Sequence, residues 1–471
     1  MNSPESSSRV AVVGGGISGL AAAHQLASAG TRVTVFESSS HVGGKLKRGQ
    51  LAGIAVDAGA ESVLARRPEA VDLIRAVGLG HKLVYPEAVG ASVWIDDRLR
   101  KLPQGQLLGI PYDLARLAES SILDKRGLLR AYAEASLPKR AVTADVAVGQ
   151  LVRERLGRQV VERLVEPVLG GVYAGESSRL SLDMVIPGLR GHLTEGKSLM
   201  SAIQELLASR HTPAGDSPVF ASVDGGLWQL PEAVADTPGV DARTESSVTS
   251  LRREDAGWEI VVERTGTHEN LLFDAVVLAC PAQATGQLLA TVVPEHYQGL
   301  AGVEYASVAL VTYAFERAEL GQLPEGTGFL VPPVSGRSVK AVTFASQKWH
   351  WLQQQNPDRV VIRVSLGRYG EGEVLRRSDD ELADVGLSDL SVLAGVSATP
   401  LDQLVTRWEN ALPQYAVGHR LRMDALQSSL AKVDGVEICG AGVDGVGIAA
   451  CIASGQSAAT RVADFLSSEG R

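Results

Sequence analysis

Glycines near the start of the chain are the first residues whose types and spacing indicate chemistry. A Gly-x-Gly-x-x-Gly pattern occupies residues 14–19, directly after an apolar run at residues 10–13. Such glycines permit a tight turn, let a pyrophosphate approach the backbone and let the next helix pack closely, while the helix start offers unpaired N–H groups to the anion. The pattern predicts a dinucleotide site, with a glycine-rich structural turn as the alternative. The candidate residues are Gly14, Gly15, Gly16, Ser18 and Gly19.

The elements that must position this loop form one complete unit. Residues 10–13 and 33–36 are short apolar runs of the kind that buried parallel strands need, and residues 20–29 have helical spacing. Glu37 closes the second strand, where a carboxylate can accept hydrogen bonds from both ribose hydroxyls and disfavours a 2′-phosphate. A strand, a glycine turn, a helix and a strand with an acidic end therefore predict a dinucleotide site that includes Glu37 and Ser38.

A second glycine motif indicates which dinucleotide to expect. Residues 43–45 read Gly-Gly-Lys, and residues 56–60 read Val-Asp-Ala-Gly-Ala. This arrangement resembles the two-dinucleotide-domain flavoproteins, the glutathione-reductase-like group that holds FAD in an extended form. The resemblance implies that the loop with this second motif lies over the pyrophosphate and that the Asp-x-Gly stretch runs by the flavin. The candidate residues are Gly43, Gly44, Lys45, Gly59 and Ala60, and a solvated loop cation is the alternative for the lysine.

Later segments predict the rest of the cofactor site. Residues 247–250 are expected to form a strand whose backbone faces the adenine. The chain closes with a strand that enters a turn, at residues 436–442, and a small-residue helix over residues 449–466. The N-terminus of that helix would point into the site, where its dipole can stabilise negative charge on a reduced flavin. The candidate residues are Val248, Gly442, Val446, Gly447 and Ile448.

Composition excludes several classes of protein. The 471-residue chain has 45 Lys and Arg against 54 Asp and Glu, and a net charge of −9 argues against nucleic-acid binding. An apolar share of 45% with 50 glycines indicates a globular protein with many tight turns. Three widely spaced cysteines cannot form a disulfide framework or a Cys-x-x-Cys pair. A polar start and the lack of a long apolar run predict a cytoplasmic protein without a signal peptide or membrane span.

Neither the cysteines nor the histidines suggest a catalytic or metal site. Cys280 follows an apolar run, and its neighbourhood in the sequence has no histidine or cluster of cations, so we expect a buried thiol. His41, His192 and His419 have no mutual spacing that suggests metal ligation. The sequence therefore assigns no catalytic side chain and no metal.

Several longer motifs resemble one family of flavoenzymes. Residues 166–175 read Glu-Pro-Val-Leu-Gly-Gly-Val-Tyr-Ala-Gly, and Arg-Leu-Ser follows at residues 179–181. Leu-Pro-Gln-Tyr at residues 412–415 precedes Gly-His at residues 418–419, and a long glycine-rich motif spans residues 444–455. In this order the motifs are similar to those of the FAD-dependent protoporphyrinogen and coproporphyrinogen oxidases, bacterial members of Gram-positive type above all.

The resemblance implies an activity, a cofactor and partners. FAD would oxidise a porphyrinogen with O2 in three two-electron steps, giving an aromatic porphyrin and hydrogen peroxide. Coproporphyrinogen III is favoured as substrate over protoporphyrinogen IX, because the helical region is charged and four propionates need a more polar site. Transient contact with a ferrochelatase and peripheral contact of the helical region with a membrane would also fit the family.

The resemblance further implies substrate contacts. Arg67 matches an arginine that precedes a proline and binds a propionate, a role that the adjacent Arg66 could also take; the alternative for Arg67 is a plain surface residue. Trp408 matches a tryptophan near the flavin, with core packing as its alternative. Thr327 stands where animal and plant members often have an aromatic residue. The implied substrate residues are Arg67, Gly171, Gly328 and Leu330.

The expected fold is α/β: a glutathione-reductase-like FAD fold with a mixed α+β substrate domain and a helical insertion. Two other hypotheses stay open. The protein could be another flavin oxidase of the same fold, such as an amine oxidase or a carotenoid desaturase, or it could be a non-catalytic FAD-binding protein. The expected FAD-binding domain comprises residues 1–70, 222–285 and 425–471, and the expected substrate-binding domain comprises residues 71–98, 202–221 and 286–424. The expected helical insertion comprises residues 99–201 and would cap the substrate or touch a membrane.

Overall fold

The structure is a computed structural model that describes residues 8–87, 90–138, 141–193, 196–209 and 218–469. The polar, Ser-rich start of the chain, residues 1–7, lies outside the described residues, as do short parts of the three expected domains. No helix among the described residues is long and apolar enough to cross a membrane.

The strands are numbered in chain order. They are β1 Arg9–Val13, β2 Arg32–Phe36, β3 Arg48–Leu51, β4 Ile54–Asp57, β5 Val63–Leu64, β6 Leu83–Val84, β7 Ser92–Ile95, β8 Arg98–Lys101, β9 Gln106–Leu107, β10 Ile110–Pro111, β11 Phe220–Val223, β12 Val240–Arg243, β13 Ser247–Glu254, β14 Gly257–Arg264, β15 Thr267–Phe273, β16 Ala275–Leu278, β17 Tyr305–Glu316, β18 Gly328–Leu330, β19 Val339–Phe344, β20 Arg359–Leu366, β21 Asp402–Pro413 and β22 Val436–Ile438.

The α-helices are numbered in the same way. They are α1 Ile17–Ser28, α2 Pro68–Ala76, α3 Leu114–Ser120, α4 Lys125–Tyr132, α5 Val148–Leu156, α6 Arg158–Val160, α7 Glu166–Tyr173, α8 Leu182–Val185, α9 Leu189–Leu193, α10 Leu199–Ser209, α11 Gln229–Ala235, α12 Ala282–Leu289, α13 Gln298–Ala301, α14 Ala345–Lys348, α15 His350–Gln355, α16 Asp379–Ala394, α17 His419–Leu430 and α18 Ile448–Glu469.

A parallel sheet in the order β12-β2-β1-β16-β22 carries the first glycine loop. Val10 and Val12 of β1 pack with α1 and α18 on one face, whereas Ala11 and Val13 pack into the core formed with β14 and β16 on the other. Burial on both faces explains why this strand is a continuous apolar run. The expected helix at residues 20–29 begins earlier, at Ile17, because Gly16 O already accepts from the Leu20 N–H and closes its first turn.

A mixed sheet in the order β21-β17-β20-β19-β18-β7-β8 forms the second layer. One of its faces packs against α16 and is fully buried. On the other face a row of partly exposed side chains crosses five strands, with neighbours paired in register. From β21 to β18, this row consists of Thr406, Leu310, Ser365, Ala341 and Leu330. A sheet whose central strands keep one face accessible can line a cavity.

The helices between β10 and β11 pack around a core of their own. The helical periodicity predicted over residues 113–168 is confirmed for α3, for α4 and for the stretch from α5 into α7, whereas residues 137–138 and 141–147 are not helical. Gly157, with φ 95°, ends α5 and begins α6. A π-helical turn, Val161–Val165, leads into α7. Because α7 lies against β18 and β19, this helical region covers the edge of the accessible sheet face.

Candidate functional site

The two glycine loops predicted from the sequence meet in space. Gly43 donates its N–H to Gly15 O at 2.8 Å, and a β-carbon added to Gly44 would lie 3.4 Å from Gly16 Cα. Gly43 has φ 105° and Gly44 has φ 56°, a backbone conformation that glycine adopts at little cost. Lys45, the next residue, is exposed. The loops therefore form one backbone surface at the carboxyl ends of β1 and β2.

Glu37 ties this surface to the neighbouring strands. Its Oε2 accepts from the Gly15 N–H and its Oε1 from the Ser39 N–H, both at 2.8 Å. Its carbonyl accepts from Ser246 N, one residue before β13, and this contact places Val248 close to the acidic end of β2. The carboxylate lies where the sequence predicts a ribose partner, and it also shapes the glycine turn.

Two helix N-termini converge on the same place because α1 and α18 cross closely. A β-carbon at Gly455 of α18 would lie 2.1 Å from Ser18 O, and one at Gly19 would lie 2.0 Å from Gly14 O. By contrast, a β-carbon at Gly16 or at Gly447, directly before α18, would meet nothing within 4 Å. Close packing therefore requires some of these glycines, while others face open space beside N–H groups. Together they form a glycine cradle that fits the central pyrophosphate and the flavin of FAD.

The turn before α18 links the cradle to the rest of the site. A β-carbon at Gly442 would come 2.9 Å from Ala282 Cβ, so this glycine permits close packing on α12. Val446, a few residues later, packs against the core of the helical region. The turn therefore lies between the glycine loops and the helices that cover the accessible sheet face.

The Asp-x-Gly stretch is held against the accessible face of the mixed sheet. Arg363 of β20 donates through Nη1 to Asp57 O at 3.2 Å and to Gly59 O at 2.9 Å, and Trp408 of β21 donates through Nε1 to Ala58 O at 3.2 Å. A β-carbon at Gly59 would lie 1.9 Å from Lys45 O, so glycine is required there. Trp408 thus contacts the segment that the resemblance places by the flavin.

A buried charge cluster lies behind this segment. Glu61 Oε2 pairs with Arg363 Nη2 at 2.5 Å, and its Oε1 pairs with Lys348 Nζ at 2.7 Å. Burial would raise the pKa of Glu61, but the two cations outweigh burial and hold that pKa at about 2. The pKa of Asp57 is raised to about 7, chiefly by burial, although its carboxylate accepts from the N–H groups of Leu227 and Trp228. Two neighbouring carboxyl groups therefore have pKa values shifted in opposite directions.

Two of the implied substrate residues face each other where α7 packs over β18. A β-carbon at Gly171 of α7 would lie 3.3 Å from Leu330 Cδ2 of β18. Gly171 is exposed and Leu330 is half-buried. Gly328 has a structural reason to be glycine, because a β-carbon there would lie 2.1 Å from Val342 O of the neighbouring strand.

Arg67 lies at the start of α2, and its guanidinium is paired with the carboxylate of Glu69. Its side chain is 48% exposed, and its Nη2 and Nε donate to Glu69 at 2.6 and 3.1 Å. The neighbouring Arg66 is also exposed. A substrate carboxylate would have to share or replace Glu69 to bind at Arg67.

The motifs that carry the family resemblance meet at one junction. Gln414 Nε2 donates to Tyr173 O at 2.9 Å, and Ser181 N donates to Tyr415 O at 2.8 Å. Tyr415 donates its hydroxyl to Ala441 O, and its ring packs at a tilt of 44° against the buried His419, with ring centroids 4.8 Å apart. These motifs therefore fasten the helical region, the mixed sheet and the turn before α18 to each other.

The cysteines are not activated as nucleophiles. Burial raises the pKa of the thiols of Cys280, Cys439 and Cys451. The part of the chain that the structure describes contains no group of His, Cys, Asp and Glu side chains that could hold a metal. The raised pKa values disfavour the thiolate form that a nucleophilic cysteine needs.

Sequence reasoning missed the cluster of Glu61, Lys348 and Arg363. The three residues come from segments almost 300 positions apart, so no local spacing connects them. The one available signal was the acid that follows the Asp-x-Gly stretch by two residues.

Comparison with known proteins identifies the architecture and the cofactor. Residues 17–463 match the family of flavin-containing amine oxidoreductases. A solved structure from Exiguobacterium described as a protoporphyrinogen oxidase superposes with a TM-score of 0.83 at 30% identity, over 98% of this chain and 99% of that one. The chain thus has the FAD-binding α/β fold with mixed sheets of the flavin amine oxidases.

Curated relatives agree over almost the whole length. A coproporphyrinogen III oxidase of Mycobacterium tuberculosis is 33% identical over 97% of this chain and 98% of its own. A chloroplastic and mitochondrial protoporphyrinogen oxidase of Arabidopsis thaliana is 27% identical over 98% of this chain and 95% of its own. The protein is an FAD-dependent oxidoreductase, and the chain belongs to the flavin-containing amine oxidoreductase family.

Proposed function

We propose that the protein oxidises coproporphyrinogen III to coproporphyrin III, using FAD as cofactor and O2 as the final electron acceptor, with release of hydrogen peroxide. The observation that carries the proposal is the full-length similarity, at 33% identity, to a relative named coproporphyrinogen III oxidase. The accessible sheet face, bordered by the Asp-x-Gly segment and by α7, supports it because a large flat substrate needs a long cavity wall. FAD would lie extended across the glycine cradle, as in the glutathione-reductase-like flavoproteins.

The site is suited to holding a macrocycle flat. Leu330 and Ala341 offer apolar surface, while Ser365 and Thr406 in the same row offer hydroxyls. Gly171 lies opposite Leu330, and any side chain there would contact Leu330, since a β-carbon alone would come to 3.3 Å from its Cδ2. Holding a reactant in one orientation is the main task here, because aromatisation drives the reaction.

The proposed chemistry makes few demands on acid–base side chains. Bound FAD supplies the hydride acceptor, and the pyrrole proton can leave to water. The residues of this chain would bind, orient and shield the substrate, which agrees with three thiols whose pKa values are raised by burial.

Arg67 is proposed as a propionate anchor. A guanidinium can pair with a carboxylate through two parallel hydrogen bonds, and Glu69 shows such an arrangement in this structure. A substrate carboxylate would compete with Glu69 for the same donors. Arg66 remains the neighbouring candidate, since it is equally exposed.

The expected domains and cofactor contacts are part of the proposal. The parallel sheet with the glycine loops would form the FAD-binding domain, the mixed sheet the substrate-binding domain, and the helices between them the insertion. Leu129 and Tyr132 of α4 are exposed apolar side chains of that insertion, and a ferrochelatase or a membrane surface would meet them there.

Protoporphyrinogen IX is the second candidate substrate. The similarity to the Arabidopsis protoporphyrinogen oxidase favours it. The hydroxyls of Thr327, Ser365 and Thr406 favour the more polar coproporphyrinogen III, because they give the region around the sheet a polar character.

Parallel assays of the purified holoenzyme test the proposal. The protein is incubated aerobically with coproporphyrinogen III or protoporphyrinogen IX, and the growth of porphyrin fluorescence is compared with autoxidation. We expect kcat/KM to be higher for coproporphyrinogen III. A higher value for protoporphyrinogen IX would support the second candidate, and no gain over autoxidation with either substrate would refute both.

A further inference from the structure

Three consecutive carbonyl groups beside the accessible sheet face are held by side chains from distant strands. Arg363 binds the carbonyls of Asp57 and Gly59, and Trp408 binds the carbonyl of Ala58 between them. Arg363 and Trp408 belong to the mixed sheet, more than 300 residues away along the chain. The backbone position of residues 57–59 is therefore fixed by side chains of the mixed sheet as well as by β4, the strand in which the segment begins.

Arg363 is itself held in one orientation. Its guanidinium uses Nη1 for the two carbonyls and Nη2 for Glu61, at 2.5 Å, and its side chain is only 11% exposed. A planar guanidinium presents its donors in a rigid fork, so these contacts fix one another's geometry. Arg363 cannot rotate without losing a buried ion pair and two hydrogen bonds.

The segment held in this way presents a donor without a protein partner. Gly59 is buried, and its N–H has no acceptor among the residues that the structure describes. The next N–H, that of Ala60, is bound to Lys45 O at 3.1 Å. An unpaired buried N–H is costly, so its presence points to a bound molecule that accepts from it.

We propose that Arg363 is a positioning residue that presents the Gly59 N–H to FAD and thereby sets the reduction potential of the bound flavin. The inference depends on the cofactor alone, not on the identity of the substrate. Trp408 supports the same segment from the neighbouring carbonyl, but Arg363 holds two of the three carbonyls and is the residue to test.

Lys348 provides a matched control for charge and burial. It is 12% exposed, and it binds the other oxygen of Glu61 at 2.7 Å. Its described hydrogen bonds go to Glu61 and Ser62, and none goes to the carbonyls of residues 57–59. Replacing Lys348 with Met therefore removes one cation from the same cluster while the segment keeps its support. In Arg363→Met, Glu61 keeps Lys348 as its partner, so we expect the protein to fold.

The experiment compares wild type, Arg363→Met, Arg363→Lys and Lys348→Met as purified holoproteins. Bound FAD, thermal unfolding and the flavin reduction potential, read against a reference dye without any porphyrinogen, are measured for each. We expect Arg363→Met to change the equilibrium between oxidised and reduced flavin at least about tenfold, roughly 30 mV for a two-electron couple. Arg363→Lys should show a smaller change, and Lys348→Met should stay within about threefold of wild type, roughly 15 mV.

Several outcomes would overturn the proposal. Equal changes in Arg363→Met and Lys348→Met would mean that the cluster acts through charge alone, and an unchanged potential in Arg363→Met would exclude positioning. If Arg363→Met retains no FAD, the reduction potential of Arg363→Lys decides the question. A wild-type potential in Arg363→Lys, or loss of FAD in that variant too, would refute a role of Arg363 in setting the potential. Because no porphyrinogen enters the measurement, failure here is distinguishable from failure of the proposed activity.

Discussion

The glycine cradle and the accessible face of the mixed sheet are built in opposite ways. The cradle is formed largely by residues 14–60, whose loops bind one another through the backbone. The sheet face takes one side chain from each of five strands, between Leu330 of β18 and Thr406 of β21. A site made from one short stretch leaves a readable spacing in the sequence, whereas a site assembled across strands does not.

The glycines show the same contrast at the level of single atoms. In the cradle, Gly19 is required by packing and Gly16 faces open space. At the sheet, Gly328 is required by the backbone of the neighbouring strand, whereas a β-carbon at Gly171 would meet only the end of a flexible side chain, Leu330 Cδ2 at 3.3 Å. A glycine therefore indicates a ligand only where the protein itself leaves the added β-carbon room.

The largest expected effect distinguishes the glycine that packing requires, Gly19, from the glycine that faces open space, Gly16. Gly19→Ala places a β-carbon about 2.0 Å from Gly14 O, so we expect a loss of about 3 kcal/mol or more in the free energy of unfolding and little bound FAD. Gly16→Ala, its control, should unfold as the wild-type apoprotein does but bind FAD about tenfold more weakly, ~1.4 kcal/mol. Denaturant unfolding and FAD titration measure both. Equal stability of the two variants would contradict the distinction.

A change at the sheet edge should affect substrate without affecting FAD. Gly171→Leu places a large side chain against Leu330 in front of the sheet face, so we expect kcat/KM to fall about tenfold, ~1.4 kcal/mol, with unchanged flavin content. Steady-state kinetics and the flavin absorbance of the purified variant test this expectation. Gly171→Ala, with its β-carbon 3.3 Å from Leu330 Cδ2, should lie closer to wild type. Loss of FAD in the leucine variant would place Gly171 in the cradle instead.

The proposed propionate anchor should show a smaller effect on binding. Arg67→Ala should raise KM about fivefold, ~1 kcal/mol, because the site is half exposed and solvent weakens the ion pair. Glu69→Gln should lower KM, since it removes the competing carboxylate. Flavin content should stay constant in both variants. An unaltered KM in Arg67→Ala would transfer the role to Arg66.

A pH-dependent effect, on stability and not on substrate, is expected where the two regions meet, at Asp57. Because the pKa of Asp57 is raised to about 7 in the folded protein, its ionisation costs stability as pH rises from about 4 to 7. Asp57→Asn removes that cost, so its stability relative to wild type should be higher at pH 8 than at pH 5, by about 2 to 3 kcal/mol.

Unfolding in denaturant at the two pH values measures this difference. Glu61, whose pKa is held at about 2, has the opposite dependence: its stabilising contribution is present above about pH 4.5 and is lost as pH falls toward 2. Comparison between pH 5 and pH 8 therefore isolates Asp57. A pH-independent difference between wild type and the variant would contradict the raised pKa.

Sequence reasoning predicted the elements of the glycine cradle because each element has a local sequence pattern. The strands at residues 10–13 and 33–36, the glycine loops and the final helix all lie where they were expected, with helix ends displaced by one to three residues. The helical region was also foreseen, but its division at Gly157 was not, because a single glycine inside a periodic pattern does not specify its φ angle. The residue contacts assigned to FAD and substrate remain predictions.

The amino-acid sequence by itself determined a dinucleotide site, since turn geometry and the alternation of strand and helix depend on neighbours along the chain. Only the tertiary structure decided that Arg363 and Trp408 hold the Asp-x-Gly carbonyls, that Arg67 is paired with Glu69, and that five strands share one accessible row. These features depend on strand order and register. Strand order and register follow from the packing of the whole core, which no local spacing encodes.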